Sequence, residues 1–560
     1  MGAEPMGANS SFRFAVIADA HYHSLDADFD FEGFSAGSRR LVMRPLGDVA
    51  RAPRVFNEAE AALTHVLDQL VDEGIRDVIL LGDYTDDGQV ETMWRLESLL
   101  DGYRSRGLRF HAVPGNHDIF GDNGRHRRKR FLRNDGSLML VTSDPDFEPE
   151  RGAGRIVSER MYCGGYPENL PRDCGYFGTP DALHWETPYG LDPSPEARTT
   201  EIRSDDGQTA RQLMDASYLV EPHPGVWWLM IDANVFVPSE SGEDGLADST
   251  GAGWAAVLKH RRSLLDWIAD VARRAQQLEK TLLAFSHYPA LDPLDGTVEA
   301  ERAMMAPTSF HARIPPVAVA EALHATGIRL HFSGHVHVND TAAWDAPDGS
   351  RLVNVAVPAL VSFPAAFKRV TVTGEAVRIE TVALDRMPLD PELMAAYEQE
   401  HALTGVDTGA MRQADDYGTF LSAHLDHLVG RRFLKREWPA DIAALFRSSH
   451  LDELIRLACY APRPYFPESA KHIDGLTLLG DWYRFRNGSD LANCRVPAAR
   501  LLIYRILDGV VADESVTDET AQRLRLFFAT FSRHLASPAR GDITVDAITG
   551  HVIPGAGGTG

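Results

Sequence analysis

The sequence predicts an α/β fold with an inserted region and an all-α C-terminal accessory domain. Three observations predict it. Short apolar runs alternate with amphipathic stretches from residue 12 to about 113, and again from 227 to about 385. Residues 121–225 break that rhythm with Gly, Pro and charge. From about 390 the apolar spacing turns helical.

The elements follow in chain order. FRFAVIA (12–18) reads as the first strand and stops at Asp19. The helix NEAEAALTHVLDQLVDEG has Asn57 as a candidate cap, Glu60 three positions on as in a capping box, and Gly74 as its end. Leu63, Val66, Leu67 and Leu70 form its apolar face. DVILLGD is a buried strand running into Asp83, and residues 89–106 form a second helix with Met93, Leu96, Leu100 and Tyr103 inward. RFHAV is the third strand and runs into PGNHD.

The rhythm resumes with the strand WWLMIDAN (227–234), a helix over 256–277 and the strand TLLAFSH (281–287). VAVAEALHATG is a short helix, and IRLHFSGHVH is read as a strand ending in His335 and His337. In an extended segment those two imidazoles, two residues apart, share a face. RLVNVAV, KRVTVT and AVRIETVAL read as closing antiparallel strands. These runs give a main domain over 12–385 that contains the 121–225 insertion, read as a cap over the site. A helical domain over 386–545 follows, with a disordered N-terminus (1–11) and a flexible tail (546–560) at the ends. The basic run RHRRKR (125–130) is read as a solvated face, with a phosphate-facing patch as the minority reading.

Bulk properties bound the function. The chain has 560 residues, 44% of them hydrophobic, and a net charge of −24. A field of that sign repels nucleic acid, so no nucleic-acid partner is expected. No apolar run is long enough for a membrane span, and MGAEPMGANSS lacks the basic and apolar parts of a secretory signal. The four cysteines have no CxxC spacing, which fits a reducing cytoplasm; Cys163 and Cys174 remain open as one local bridge. There is no GxxxxGK[ST] loop, GxSxG elbow or HExxH pair, which removes the commoner NTPase, serine hydrolase and zincin readings.

Five short segments stand at strand ends: DAH (19–21), GDYTD (82–86), GNHD (115–118), SH (286–287) and GHVH (334–337). In an open α/β fold, sites form beyond the carboxyl ends of strands. Each segment alone is weak, since a lone His-x-His is more often a polar patch than a metal site. The five in order resemble the calcineurin-like metallophosphoesterase family, whose pattern is DxH, GDxxD, GNH(D/E), H, GHxH. Every position is matched, over roughly residues 12–385.

The resemblance implies a four-layer αββα sandwich and two transition cations, Mn, Fe or Zn. By position, Asp19, His21, Asp83 and His337 would hold the first, and Asp83, Asn116, His287 and His335 the second, with Asp83 bridging. Mixed imidazole, carboxylate and amide donors suit such metals rather than calcium. The implied reaction is phosphoester hydrolysis by a metal-bound hydroxide. His117 protonates the leaving group, Asp118 orients the His117 ring, and Asp86 buttresses the loop without binding metal. The bland reading of His117 is a structural hydrogen-bonder.

The leading expectation is a phosphodiesterase for a small phosphodiester. The alternatives are a phosphomonoesterase or nucleotidase, a DNA-repair-type nuclease, and a non-catalytic scaffold of the same fold. His23, His184–Trp185, Tyr218 and Asn234 are weaker pocket candidates, while His65 and His111 are read as structural. The C-terminal helices are expected to dimerise, to cover the site or to bind a partner; a homo-oligomer through them is one such reading.

Overall fold

The computed structural model of the protein describes residues 11–149, 154–239, 245–248, 250–458, 468–505, 518–538 and 541–553. Two seven-stranded sheets form its centre. The first runs Val552–Ile553, Asp542–Asp546, Ala376–Ala383, Ala366–Thr373, Phe12–Ile17, Asp77–Leu81, Arg109–Val113. The second runs Asp340–Asp345, Arg351–Ala356, Leu330–Ser333, Thr281–Ser286, Val226–Ile231, Tyr218–His223, His184–Glu186.

In the second sheet the central strands are parallel, and in the first Phe12–Ile17, Asp77–Leu81 and Arg109–Val113 run parallel at one side, with Ala366–Thr373 antiparallel beside them. The inner parallel strands are almost wholly buried, as expected where both faces are covered. Aromatic side chains fill the space between the sheets: Phe14 meets Trp228 at 4.8 Å and Phe285 at 6.2 Å between ring centroids. Helices Ala59–Asp72 and Val90–Ser105 bury their apolar faces in the same core as the first sheet. Arg262–Gln277 and Val317–Ala325 share a second core with the other sheet. The core is therefore an αββα sandwich.

Several local readings change. The helix after residue 57 begins at Ala59 without a side-chain cap. Asn57 instead holds the Arg44 backbone from both sides, at 2.8 and 2.9 Å, and Glu60 accepts from the Tyr22 hydroxyl. Gly74 does end that helix, at φ +68°. The helix expected over 256–277 is two, Trp254–His260 and Arg262–Gln277. The break falls at Arg261, whose buried guanidinium binds the Asp232 and Asn234 carbonyls and pairs with Asp215. The last of the strands near 330 stops at Ser333, so His335 and His337 are not on a strand.

Residues 121–225 are more ordered than their weak periodicity implied. They form a three-stranded sheet, Arg128–Leu132, Leu138–Thr142 and Gly154–Val157, and a hairpin, Thr199–Arg203 with Ala210–Met214. His184–Glu186 and Tyr218–His223 belong to the second central sheet. At the other end, Asp542–Asp546 and Val552–Ile553 return to the first sheet, within stretches read as helical domain and tail. The expectations for residues 1–10 and 554–560 lie outside the described residues. Cys163 and Cys174 are free, so no bridge joins them.

The C-terminal helices pack around Trp438, Phe446, Trp482 and Phe527. Four of them start on aspartate caps, Asp390, Asp416, Asp474 and Asp518. Buried ties hold them to the sandwich, three of them as follows. Glu400 accepts from the Leu46 amide at 2.8 Å, His424 meets the Val49 carbonyl at 3.0 Å, and Glu301 binds Arg486 at 2.8–3.0 Å. No helix among the described residues is long and apolar enough to cross a membrane.

Candidate metal centre

The loops beyond the first two strands lace together through their backbones. Asp19 N donates to Gly82 O (3.1 Å), His21 N to Asp83 O (2.8 Å) and Tyr22 N to Tyr84 O (2.9 Å). On the other sheet, Gly334 N donates to His287 O at 2.9 Å. Five candidate ligands, Asp19, His21, Asp83, His335 and His337, have φ between +41° and +71°. Non-glycine residues rarely adopt that region, and such strain collects at functional sites. The two imidazoles of GHVH converge through these left-handed turns, not through strand alternation.

The motif glycines make room for the ligands. A Cβ at Gly82, whose φ is +76°, would collide with the His287 ring, and one at Gly334 with the Asp19 carboxylate.

Each of the two central carboxylates spends one oxygen on a backbone amide. Asp19 Oδ2 accepts from His335 N (2.9 Å), and Asp83 Oδ1 from His117 N (2.8 Å). Their other oxygens face imidazoles. Asp19 Oδ1 is 3.3 Å from His337 Nε2 and 3.9 Å from His21 Nε2. Asp83 Oδ2 is 3.2 Å from His287 Nε2 and 3.8 Å from His21 Nε2. Ring nitrogens also crowd one another: His21 and His337 Nε2 are 3.2 Å apart, as are His287 Nε2 and His335 Nδ1.

These atoms form the clusters Asp19–His21–His337 and Asp83–His287–His335, linked by a third, His21–Asp83–His117, and each could hold a metal ion. Asn116 Oδ1 and Asp19 Oδ1 are buried and lack hydrogen-bond partners. Buried oxygens without donors are costly, and cations would satisfy them. The nitrogen and oxygen donor set therefore fits a pair of transition cations.

Electrostatics agree. Burial, then the Arg54 charge, holds His21 well below its ordinary pKa. Burial, then Arg313, does the same to His335. Both rings are thus bare ligands near neutrality. His287 is the exception: burial opposes its charge, but Asp83 and Asp19 outweigh burial and raise it to about 9. Its Nδ1 faces the Leu81 carbonyl at 3.0 Å, which turns Nε2 to the carboxylates in the manner of ligands fixed from behind.

His117 lies on the rim of the cluster, its Nε2 4.0 Å from Asp83 Oδ2. Asp118 does not orient it. Both Asp118 oxygens face inward, accepting from Thr85 N (2.9 Å), Thr85 Oγ1 (2.8 Å) and Gly115 N (2.8 Å). The partner of His117 Nδ1 is Asp87, at 2.6 Å. Sequence reasoning missed Asp87, although GDYTDD displays the doubled acid; the matched pattern ends one residue earlier. Asp86 does buttress the loop, pairing with Arg54 (3.0 Å) and Lys129 (2.8 Å).

The basic run is a solvated face on one side only: His126, Arg128 and Arg130 are exposed. Arg125, Arg127 and Lys129 alternate inward: Arg125 donates to Asn116 O (3.1 Å), Arg127 pairs with Asp87 (3.2 Å), and Lys129 with both Asp86 and Asp87. Arg130 turns away to Asp48. The run thus neutralises the acids that hold His117.

The weaker candidates are structural. His23 Nε2 meets Val42 O at 2.9 Å. His184 pairs with Glu186 and Trp185 donates to Gly175 O, in an edge strand. Tyr218 bonds Ala112 and Cys174 backbone, and Asn234 the Pro114 carbonyl and the Tyr288 hydroxyl.

The cavity beside the cluster holds a further surprise. Its floor is Asp83, Asn116, His117, His335 and His337. Its ceiling is not residues 121–225, which were expected to cap it, but the C-terminal helices, through Leu425, Leu428, Arg432 and Phe433.

Residues 12–192 match the family model for calcineurin-like phosphoesterases. No curated protein matches the chain. Among solved structures, a dimetal phosphatase from Danio rerio is similar at 14% identity, covering 68% of this chain and 96% of that one, with a TM-score of 0.28. Purple acid phosphatase PPD1 from yellow lupin (Lupinus luteus) seeds is 12% identical, covering 67% and 52%, with a TM-score of 0.29. PhoD is 9% identical, covering 68% and 67%, with a TM-score of 0.34. Likenesses so distant say nothing of substrate. The family match, over residues 12–192, and the clustered ligands identify a calcineurin-like phosphoesterase region with the ligand set of a metal-dependent hydrolase.

Proposed function

We propose that the protein is a binuclear phosphodiesterase acting on a small phosphodiester. The observation that carries this reading is the chain of ligand clusters joined through His21 and the Asp83 carboxylate, with His117 at their rim. In it, Asp19, His21, Asp83 and His337 hold one metal, and Asp83, Asn116, His287 and His335 the other. Two transition cations, Mn, Fe or Zn, supply Lewis acidity that activates water and neutralises phosphoryl charge.

The remaining chemistry belongs to the chain. Asp87 fixes the His117 ring through Nδ1, so Nε2 faces the reacting centre. From there His117 gives its proton to the departing alkoxide. A retained acid matters most for a poor leaving group, which supports a diester. The net charge of −24 and a ceiling of helices speak against a nuclease. A phosphomonoesterase is the second reading, favoured by Arg54 and Arg313 in the cavity, because a dianion makes fuller use of extra cations. The three cysteines among the described residues are free, which supports a reducing, cytoplasmic setting.

The test is turnover of bis-p-nitrophenyl phosphate, cyclic nucleotides, glycerophosphodiesters and mononucleotides with manganese, zinc or iron. Hydrolysis of diesters ahead of monoesters is expected. Preference for mononucleotides would replace this reading with the second, and purified protein that takes up no transition metal would end both.

A further inference from the structure

The cavity over the candidate centre has a volume of about 180 Å³, below the ~300–1,000 Å³ typical of sites for drug-sized ligands. It leaves room for a phosphate and one compact group at a time. Its walls divide by chemistry. Arg54, Arg313 and Arg432 supply cationic lining, and Phe310, Phe363, Leu425, Leu428 and Phe433 apolar lining.

Most of the arginines are already engaged. Arg54 binds Asp86 at 3.0 Å, Arg432 the Arg51 carbonyl at 2.7 Å, and Arg486, also in the wall, binds Glu301. Arg313 differs: its half-buried guanidinium has no ion-pair or hydrogen-bond partner among the described residues. It lines the same cavity as His335 and His337. Burial opposes its charge, and the Asp83 and Asp19 carboxylates offset this only in part, from beyond contact distance. A partly desolvated guanidinium with no partner in contact is unfavourable, and its planar fork matches phosphate oxygens.

The ceiling has its own irregularity. Arg432 and Phe433 belong to a π-helical turn, Val429–Phe433, inserted between Tyr417–Leu428 and Leu434–Arg436. Such turns recur at functional sites. This one brings a cation and an aromatic ring to the cavity together.

We propose that Arg313 receives the phosphoryl oxygens of the substrate, and that the C-terminal helices select phosphodiesters with compact apolar or aromatic ester groups. The inference rests on the phosphodiesterase reading and narrows its substrate class. Arg313 is a binding residue here, and Phe433 with Leu428 sets selectivity.

The experiment uses the full chain loaded with manganese. Inorganic phosphate is titrated calorimetrically into wild type, Arg313→Gln and Arg313→Lys. Arg313→Gln is expected to weaken phosphate binding about tenfold, the scale of one charge-assisted contact, to raise KM more than it lowers kcat, and to keep the wild-type metal content. Arg313→Lys should recover part of the loss. Phe433→Ala should lower kcat/KM for bis-p-nitrophenyl phosphate relative to methyl p-nitrophenyl phosphate, while wild type leaves oligothymidylate uncut.

Unchanged phosphate affinity and KM in Arg313→Gln would overturn the role of Arg313, and oligothymidylate cut as fast as the small diester would overturn the selectivity. If Phe433→Ala does not fold, the Arg313 pair and the oligothymidylate assay still decide. Failure of the wild type on every phosphoester would defeat the phosphodiesterase reading instead, and phosphate titration would still report on Arg313.

Discussion

The floor and the ceiling of this cavity are built by different rules. The floor comes from turns in which residues far apart in sequence are fixed by backbone strain and amide contacts. Asp19, Asp83, His335 and His337 have positive φ, and each central carboxylate is pinned by a neighbouring amide. The ceiling comes from ordinary amphipathic helices docked through a few buried ties, such as Glu301 to Arg486. The difference teaches that chemistry demands exact side chains in fixed loops, whereas enclosure demands only apolar bulk at the right height. Damage to the floor should therefore remove metal and turnover together, and damage to the ceiling should spare the metal.

The largest effect is expected from Asp83→Ala. Asp83 Oδ2 lies between both ligand clusters, so turnover should fall below detection and metal content should drop at both sites. Elemental analysis beside an activity assay checks this; a variant that kept both metals would separate Asp83 from its proposed bridging role.

One step out from the floor, His117→Ala should lower kcat by about 10²–10⁴, the range of general acid catalysis, with metal content unchanged. Asp87→Asn should cost about 10–100-fold, as for groups that orient a functional residue. The loss should grow with the pKa of the leaving alcohol in both variants. If Asp118→Asn, and not Asp87→Asn, shared the leaving-group dependence of His117→Ala, the orienting role would return to Asp118.

For the ceiling, Glu301→Leu removes the partner of a buried guanidinium. Arg486 would stay desolvated and unpaired, which costs about 3–5 kcal/mol. Thermal unfolding should show a clear loss of stability, while metal bound per folded chain stays at the wild-type value. Loss of metal from the folded variant would mean that the two regions are coupled more tightly than their contacts suggest.

The same contrast explains what the sequence made legible. The ligand motifs were visible because each is short, ordered and placed at a strand end. The reason His335 and His337 converge was not, because a left-handed turn and a strand terminus look alike in GHVH. Asp87 was visible as a letter but not as a partner, since hydrogen bonding to His117 depends on Arg127 and Lys129 reaching across from another sheet. Those cations read as a solvated run because charge in a loop is usually solvated. Asn57 had the look of a helix cap, and only the proximity of Arg44 shows otherwise. The ceiling was illegible: Leu425, Leu428 and Phe433 have spacing that announces a helix and says nothing of what it covers.

The smallest expected effect is a pH dependence of the ceiling's attachment. Glu301 faces Arg486, His311 and His534, and His534 faces Asp295 as well. Burial opposes the charge on Glu301, but Arg486 and the two histidines outweigh it and hold its pKa well below the usual carboxylate range. Burial likewise opposes the charge on His534, and Asp295 with Glu301 raises its pKa above the ordinary value. The signs differ. Glu301 contributes stability that is present above its unfolded pKa, ~4.3, and lost as pH falls through its lower folded value. His534 contributes stability that is present below its unfolded pKa, ~6.5, and lost as pH rises through its higher folded value. Together they place the firmest docking of the helices between about pH 4.5 and 6.5. Thermal melts of wild type and His534→Gln across pH 5–9 check this. The stability gap between the two should be widest at the acid end and should close as pH rises. A gap that stayed constant across the range would mean that His534 contributes packing alone, and that its charge has no part in holding the ceiling down.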